Sequence, residues 1–366
     1  METHETFLEQ EFYKILTEAY EWLFSVGKEV GNWKNIEGTS MAALCLNIRE
    51  PKSSPWIVGT RDWLLEQQIE MSPELGSWEE ELWQTTTAII ALSKLGVPNT
   101  HPKMKKGLNF IHKLYNTTGR SNWEDEPWET SWAIWAIAES SCKEYLEDAV
   151  NGMKWLMSLQ DESGRIISPH YTAYFIKIAN SLCKRQLVSE GDHCEYERTV
   201  ERAREYLLAM ISKESLWTGV AWSNGQILWS LTSTDNFPFD DDELVSSILI
   251  WFAKNQEPKG NWYDAEDTAS SILGLVYLLR GYKIERVKDK SDIADIDTTI
   301  YSNLRRRLET PKYSFGKRFI QVLDDGTTTL NFSPRVKRTA IVLFAVVSGL
   351  TVFFAVWDFI REMLGI

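Results

Sequence analysis

No two cysteines in this chain stand within a zinc-knuckle spacing of each other: Cys45, Cys142, Cys183 and Cys194 are scattered. That removes the thiol pairs on which structural zinc sites and redox motifs are built. Histidine is nearly as scarce, with five in the chain and none beyond His193, so no metal and no cofactor is expected. Lysine and arginine form no stripe interleaved with aromatics, and the net charge is −13, which excludes a phosphate backbone and hence a nucleic acid as partner. The N-terminal METHETFLEQ has no apolar core of signal-peptide length, so nothing directs export. Reduced thiols on the cytosolic side are the expectation.

What is abundant is tryptophan, seventeen in 366 residues. Each indole is bulky and carries an N–H that needs an acceptor, so so many of them imply either a repeated structural demand or an aromatic-walled cavity. A turn element supplies the repeat. Gly31-Asn-Trp33, Gly76-Ser-Trp78, Ser121-Asn-Trp123, Gly164-Arg-Ile166, Ser215-Leu-Trp217 and Gly260-Asn-Trp262 place their third residues 45, 45, 43, 51 and 45 positions apart. An apolar-periodic stretch precedes each turn. A Thr or Ser follows it six or seven residues later and opens a second apolar stretch, as in WQTTTAIIALSKLG and EDTASSILGLVYLL. The hydroxyl reads as an N-cap and each copy as a helical hairpin. Three copies also carry a glutamine four residues after an aromatic-apolar pair, at Gln68, Gln160 and Gln256. An amide there both donates and accepts, and can stitch a turn to the next hairpin. Six hairpins, about twelve helices, can close into an inner and an outer ring over residues 1–284.

The grammar Trp251-Phe252-x-x-x-Gln256-x-x-x-Gly260-x-Trp262 resembles the QW motif of triterpene cyclases. The six repeats resemble the α/α toroid shared by squalene-hopene cyclases, plant class II diterpene cyclases and protein prenyltransferase β subunits. That resemblance implies an all-α fold and an isoprenoid or other lipid-like ligand. It also gives Asp264-Ala-Glu266-Asp267-Thr268-Ala a role, since class II cyclases carry Asp-x-Asp-Asp-Thr-Ala and use its middle acid to protonate an alkene or epoxide. By that likeness Glu266 is the catalytic acid, with Asp264 and Asp267 as its neighbours. The motif departs from the family in its glutamate, in following Trp262 almost at once, and in lacking a second helical domain above it. Acids at a helix start are also stabilised by the helix dipole without any catalytic duty, so capping stands beside catalysis. The prenyltransferase zinc ligands have no counterpart in the late repeats.

In such a ring the inner helices start at one mouth, and the residues in their first turns are the candidates to line a central cavity. These are Trp83, Trp128, Trp132, Trp135, His170, Tyr171, Tyr174, Trp222, Trp229 and Tyr263, a set able to stack on an apolar chain or shield a cation. Core packing between helices is the competing role. Glu124, Asp125, Glu126 and Glu129 in the third repeat are expected to face the Asp264 group, an opposition of carboxylates that would also suit glycoside hydrolysis. Asp240-Asp241-Asp242-Glu243 sits where an outer helix begins, and acids are expected there.

Residues 285–335 read as a linker or small juxtamembrane element, with a basic run at Arg305, Arg306 and Arg307 and a hairpin pattern around Asp324-Asp325-Gly326. Residues 336–366 read as a C-terminal anchor. From Thr339 to Trp357 nineteen residues carry no charge, and at roughly 1.5 Å per residue they span about 28 Å, close to a hydrocarbon core. Arg335, Lys337 and Arg338 precede the span, which places the N-terminal domain on the cytoplasmic side. Three functions remain open: a membrane-anchored, cyclase-like enzyme with a hydrophobic substrate; a non-catalytic toroid that binds a lipid, small molecule or protein partner and uses the tail for localisation or as a membrane-tethered sensor or effector; and, third, a glycoside-processing enzyme.

Overall fold

The computed structural model describes residues 7–27, 31–115, 117, 119–211, 216–233, 237–239, 241–286 and 293–309. The expected span at 339–357 and the hairpin pattern at 324–326 lie outside them. Among the described residues no helix is long and apolar enough to cross a membrane.

Six helical hairpins follow one another: α1 (Phe7–Val26) with α2 (Ile36–Arg49), α3 (Pro55–Glu66) with α4 (Leu82–Lys94), α5 (Pro102–Leu114) with α6 (Pro127–Ser140), α7 (Leu146–Ser158) with α8 (Pro169–Lys184), α9 (Glu190–Met210) with α10 (Ala221–Thr232), and α11 (Asp242–Asn255) with α12 (Ala265–Arg286). The even-numbered helices each pack on the next, and α12 packs on α2, so the inner ring is closed. The odd-numbered helices lie outside it. A thirteenth helix, α13 (Ile293–Glu309), forms in the stretch read as a linker and sets Ile296, Ile300 and Leu304 against α1, α2 and α12. The only strands among the described residues, β1 (Ile69–Glu70) and β2 (Gly76–Ser77), are the second repeat's turn drawn into a two-residue ladder.

The repeated turn is wired in three directions. Its indole N–H donates to the outer helix before it: Trp33 to Leu23 O, Trp78 to Leu64 O, Trp123 to Ile111 O, Trp217 to Leu207 O and Trp262 to Phe252 O, at 2.7–3.0 Å. The glutamines bond the next outer helix, Gln68 to Lys103 O, Gln160 to Thr199 O and Gln256 to Ile15 O. The Thr hydroxyls do not act as the expected N-caps. They lie within the inner helices and accept from the turn's own backbone, Trp33 N to Thr39, Trp78 N to Thr85, Trp123 N to Thr130, Ile166 N to Thr172 and Trp262 N to Thr268, at 2.9–3.1 Å. In the fifth repeat Asn224 accepts from Thr218 N at 3.0 Å instead. The turn amides are buried and need an acceptor that the helix backbone cannot supply, which is why the hydroxyl is one turn inside rather than at the cap.

These ties fix which face of each inner helix points to the axis. Two residues ahead of the tie stand Glu37, Trp83, Trp128, His170, Trp222 and Glu266; two residues after it, Met41, Thr87, Trp132, Tyr174, Gln226 and Ser270; five after it, Leu44, Ile90, Trp135, Lys177, Trp229 and Leu273. Spacings of four and three keep one helix face inward. The ring is therefore filled in layers. Trp132, Trp135 and Tyr174 are at most 2% exposed and Trp229 is 6% exposed. Lys177 fills the third layer, its Nζ 4.0 Å from the Trp135 ring centroid and 2.8 Å from that of Trp229, donating to Gln226 Oε1 at 3.2 Å. Gln226 in turn donates to Ser270 Oγ at 2.9 Å. The hollow centre expected from the sequence is thus occupied by the chain's own side chains. Beyond this layer Glu139 accepts from Trp135 and Ser181 and pairs with Lys94 and Arg185. Burial alone would raise its pKa, but the two cations outweigh that and hold it low.

Closure of the ring depends on glycine at Gly260. It has φ +96°, and a methyl group there would collide with the Glu18 carbonyl of α1. Gly96 has a similar φ of +90° with nothing within 4 Å. Gly260→Ala is expected to lower stability by several kcal/mol, against about 1 kcal/mol for Gly96→Ala, because only the first adds a backbone collision to the strain. Thermal unfolding of the two variants checks this, and equal losses would show that the contact with α1 carries no weight.

Candidate functional site

The mouth of the ring is the layer ahead of the ties, and its six residues touch in sequence. Trp83 and Trp128 have ring centroids 4.7 Å apart, Trp128 and His170 6.0 Å, His170 and Trp222 5.7 Å, and Trp128 and Trp222 5.7 Å. On the other side Trp83 Nε1 donates to Glu37 Oε1 at 2.7 Å, and the Glu266 carboxyl hydrogen-bonds to Glu37. Four aromatic rings and two carboxyls therefore frame the entrance. The carboxyls sit where the first repeat meets the last.

A cavity of about 690 Å³ adjoins this layer, lined by α10, α11 and the turns before α10 and α12, and reaching Glu37 of α2 and Trp128 of α6. Glu37, Glu266 and Asp267 line it together with Trp128, Trp222 and Trp251. Burial raises Glu266 well above the ordinary carboxylate range, and the neighbouring Glu37, Asp264 and Asp267 add to that. Asp267 is pushed up to about 7, first by burial and then by Asp264 and Glu37. Glu37 is raised by burial, although the hydrogen bonds from Glu266 and Trp83 favour its ionised form. Two carboxyls cannot both ionise cheaply in such a setting, so the pair keeps a proton at neutral pH, with Glu266 as the donor.

The three acids of the sequence motif separate by role. Asp264 is exposed, and its Oδ1 accepts from Asp267 N at 3.0 Å, which is the work of a helix cap. Glu266 makes no such bond and faces the cavity. The aromatic candidates separate likewise. Trp83, Trp128, His170 and Trp222 stand at the mouth. Burial lowers the His170 pKa, so its ring is neutral there. Trp132 and Tyr174 belong to the second layer, with centroids 5.3 Å apart, and Trp135 and Trp229 to the third, 5.5 Å apart. Tyr171 donates to Glu126 Oε1 at 3.1 Å. Tyr263 lies on the rim, 80% exposed with φ +64°.

Glu129 is pushed up to about 7 by burial and then by Glu124, Glu126 and Glu81. None of the Asp264 group figures among those causes. No group of three or more His, Cys, Asp or Glu side chains among the described residues is placed to hold a metal ion.

Glu37 was not singled out from the sequence, and Trp251 was read there only as part of the QW-like turn, not as a cavity-lining residue. The signal for Glu37 was available: it stands two residues before Thr39, as Glu266 stands two before Thr268. It becomes visible once the repeats are aligned on their ties and the ring is closed.

No family model matches the sequence, and no curated protein does. Among solved structures the chain is similar to the type II terpene cyclase MstE from Scytonema. Against a variant of that enzyme in complex with geranylgeranyl dihydroxybenzoate, its substrate, the TM-score is 0.54 at 11% identity, covering 74% of this chain and 97% of that one. An apo variant gives 0.54 at 12% identity, covering 73% and 97%. A complex with merosterolic acid A, the product, gives 0.52 at 10% identity, again over 73% and 97%. At this level of identity the likeness is one of fold, an all-α toroid shared along nearly the whole of MstE.

Proposed function

We propose that this chain is a membrane-tethered toroid that takes the apolar chain of an isoprenoid or lipid at the mouth of its ring, and that Glu266 delivers a proton to it. The observation that carries this reading is the largely buried Glu266 carboxyl, set beside Glu37 and Asp267 in a cavity lined by Trp128, Trp222 and Trp251, where burial and those neighbours favour its protonated form. In the reaction, the Glu266 proton passes to an alkene carbon, whose π pair forms the new C–H bond. The resulting cation is attacked by a second double bond, which closes a ring, and loss of a proton back to the Glu266 carboxylate restores the acid. Indole faces at the mouth would stabilise the cation. The substrate class draws support from MstE, whose complexes hold a geranylgeranyl substrate and its product. The tether is the uncharged run from Thr339 to Trp357, with Arg335, Lys337 and Arg338 keeping the toroid on the cytoplasmic side.

A second reading is a non-catalytic toroid, a membrane-tethered sensor or effector that binds a ligand or protein without turning it over. It is favoured by the filled centre, where Lys177 already supplies the cation between Trp135 and Trp229 and Trp132 and Tyr174 are packed above them.

Detergent-solubilised wild type is expected to convert a geranylgeranyl substrate to a cyclic isomer. Glu266→Gln should lose about 10²-fold or more of that rate, the usual weight of a general acid, while remaining folded. Retained quenching of tryptophan fluorescence by the substrate with no product from wild type would overturn the enzyme reading in favour of the second. The raised pKa also has a sign in stability. Unfolded glutamate ionises near pH ~4.3, so the site's contribution is complete below that and is lost as pH rises towards the folded value. The melting temperature of wild type should therefore fall more steeply than that of Glu266→Gln between about pH 5 and about pH 8. Finally, the full chain should stay in the membrane pellet after alkaline carbonate extraction, and a chain ending at residue 335 should not.

A further inference from the structure

Glu37 lies outside the acidic motif, some 230 residues before it in the chain, yet it occupies the equivalent place in the mouth layer. Its carboxylate is held from two sides, by Trp83 Nε1 of α4 at 2.7 Å and by the Glu266 carboxyl of α12. Trp83 is itself wedged between Trp128 and Trp132, with centroids at 4.7 Å and 4.3 Å, so the donor has little freedom to turn. Three helices from three repeats thus converge on one carboxylate. We propose that Glu37 is the positioning residue of the site, a fixed anionic acceptor that orients the Glu266 hydroxyl and keeps its proton in place, and that it can do so only when the first and last repeats are docked.

The role of Glu266 as a proton donor to substrate belongs to the preceding reading, and the inference rests on it only for its catalytic consequence. The groups facing the pair are few. Asp264 and Asp267 come from the start of α12, Glu79 from the second turn, and the Tyr174 hydroxyl from α8. Among the described residues no lysine, arginine or histidine forms an ion pair with either glutamate. A nearby cation would have let both carboxyls ionise. In its absence the anion on Glu37 is what makes loss of the second proton costly. The indole donor ensures that Glu37, and not Glu266, carries the charge, because a carboxylate that accepts a hydrogen bond is the more easily ionised of two. Glu266 is left with its proton and with access to the cavity.

The test follows the Glu266 proton directly. The infrared carbonyl band of a protonated carboxyl that is present in the full-length wild type and missing from Glu266→Gln is titrated in detergent. In Glu37→Gln the charge is gone and the amide can donate, so the midpoint of that band should fall by at least about one pH unit. In Trp83→Phe both carboxyls remain and only the donor is lost, so the midpoint should stay or rise. An unchanged midpoint in Glu37→Gln overturns the proposal. So does a fall of the same size in Trp83→Phe, because that would trace the effect to lost packing. If wild type turns over a geranylgeranyl substrate, the alkaline limb of kcat should move down in Glu37→Gln with KM little changed. Should the band move as stated while wild type converts nothing, the positioning role stands and the catalytic reading falls.

Discussion

Each inner helix is held to its turn by one side-chain acceptor, a threonine hydroxyl in five repeats and the Asn224 amide in the other, which satisfies the amide that opens the turn. Losing such an acceptor would leave a buried N–H unpaired, at a cost of about 1–3 kcal/mol. The geometric result exceeds the energy. The tie sets the rotation of the helix about its own axis, so positions two before, two after and five after it all point inward. Everything at the centre of the molecule follows from that register: the entrance of four aromatic rings and two glutamates, the tryptophan and tyrosine layer beneath it, and the lysine between indoles below that.

The filled centre also explains where polarity is allowed. Lys177 is buried, and that burial pushes its amine well below the ordinary lysine pKa. It is tolerable there because the amine meets Gln226 Oε1 and two indole faces, and Gln226 finds Ser270. Such a network is worth keeping only if every member is satisfied. At the mouth the opposite rule applies. Among the described residues no cation pairs with Glu37 or Glu266, and the cost of bringing the two carboxyls together is relieved by retaining a proton.

Much of this architecture was legible in the sequence. The period of the turn element and the apolar stretches on either side of it specify paired helices, and the ring appears as the closed packing of α2, α4, α6, α8, α10 and α12. The stitching role of Gln68, Gln160 and Gln256 was also readable, because an amide in that place has few other backbone groups to meet. Three things were not. The hydroxyls looked like caps because six or seven residues past a turn is close to a helix start, and only the fold shows that the turn amide is their partner. The aromatic residues looked like a cavity wall, since composition cannot say whether rings face a ligand or one another. Trp132 and Trp135 face one another, with centroids 4.9 Å apart. Glu37 escaped notice because its partner is at the far end of the chain, and its one sequence signal, a place two before Thr39 that matches Glu266 before Thr268, shows only when the repeats are aligned on their ties.

The helix α13 gives that closure a further property. Its buried Ile296, Ile300 and Leu304 rest on α1, α2 and α12, the first and last helices of the ring, and Arg280 of α12 is paired with its Asp297. A strap of this kind bears on the one joint that a linear chain of repeats cannot make by simple stacking. Of the described helices, α13 is the one that mechanical tension applied to the polypeptide downstream would reach first, and peeling it away would uncover the joint where the two carboxyls meet.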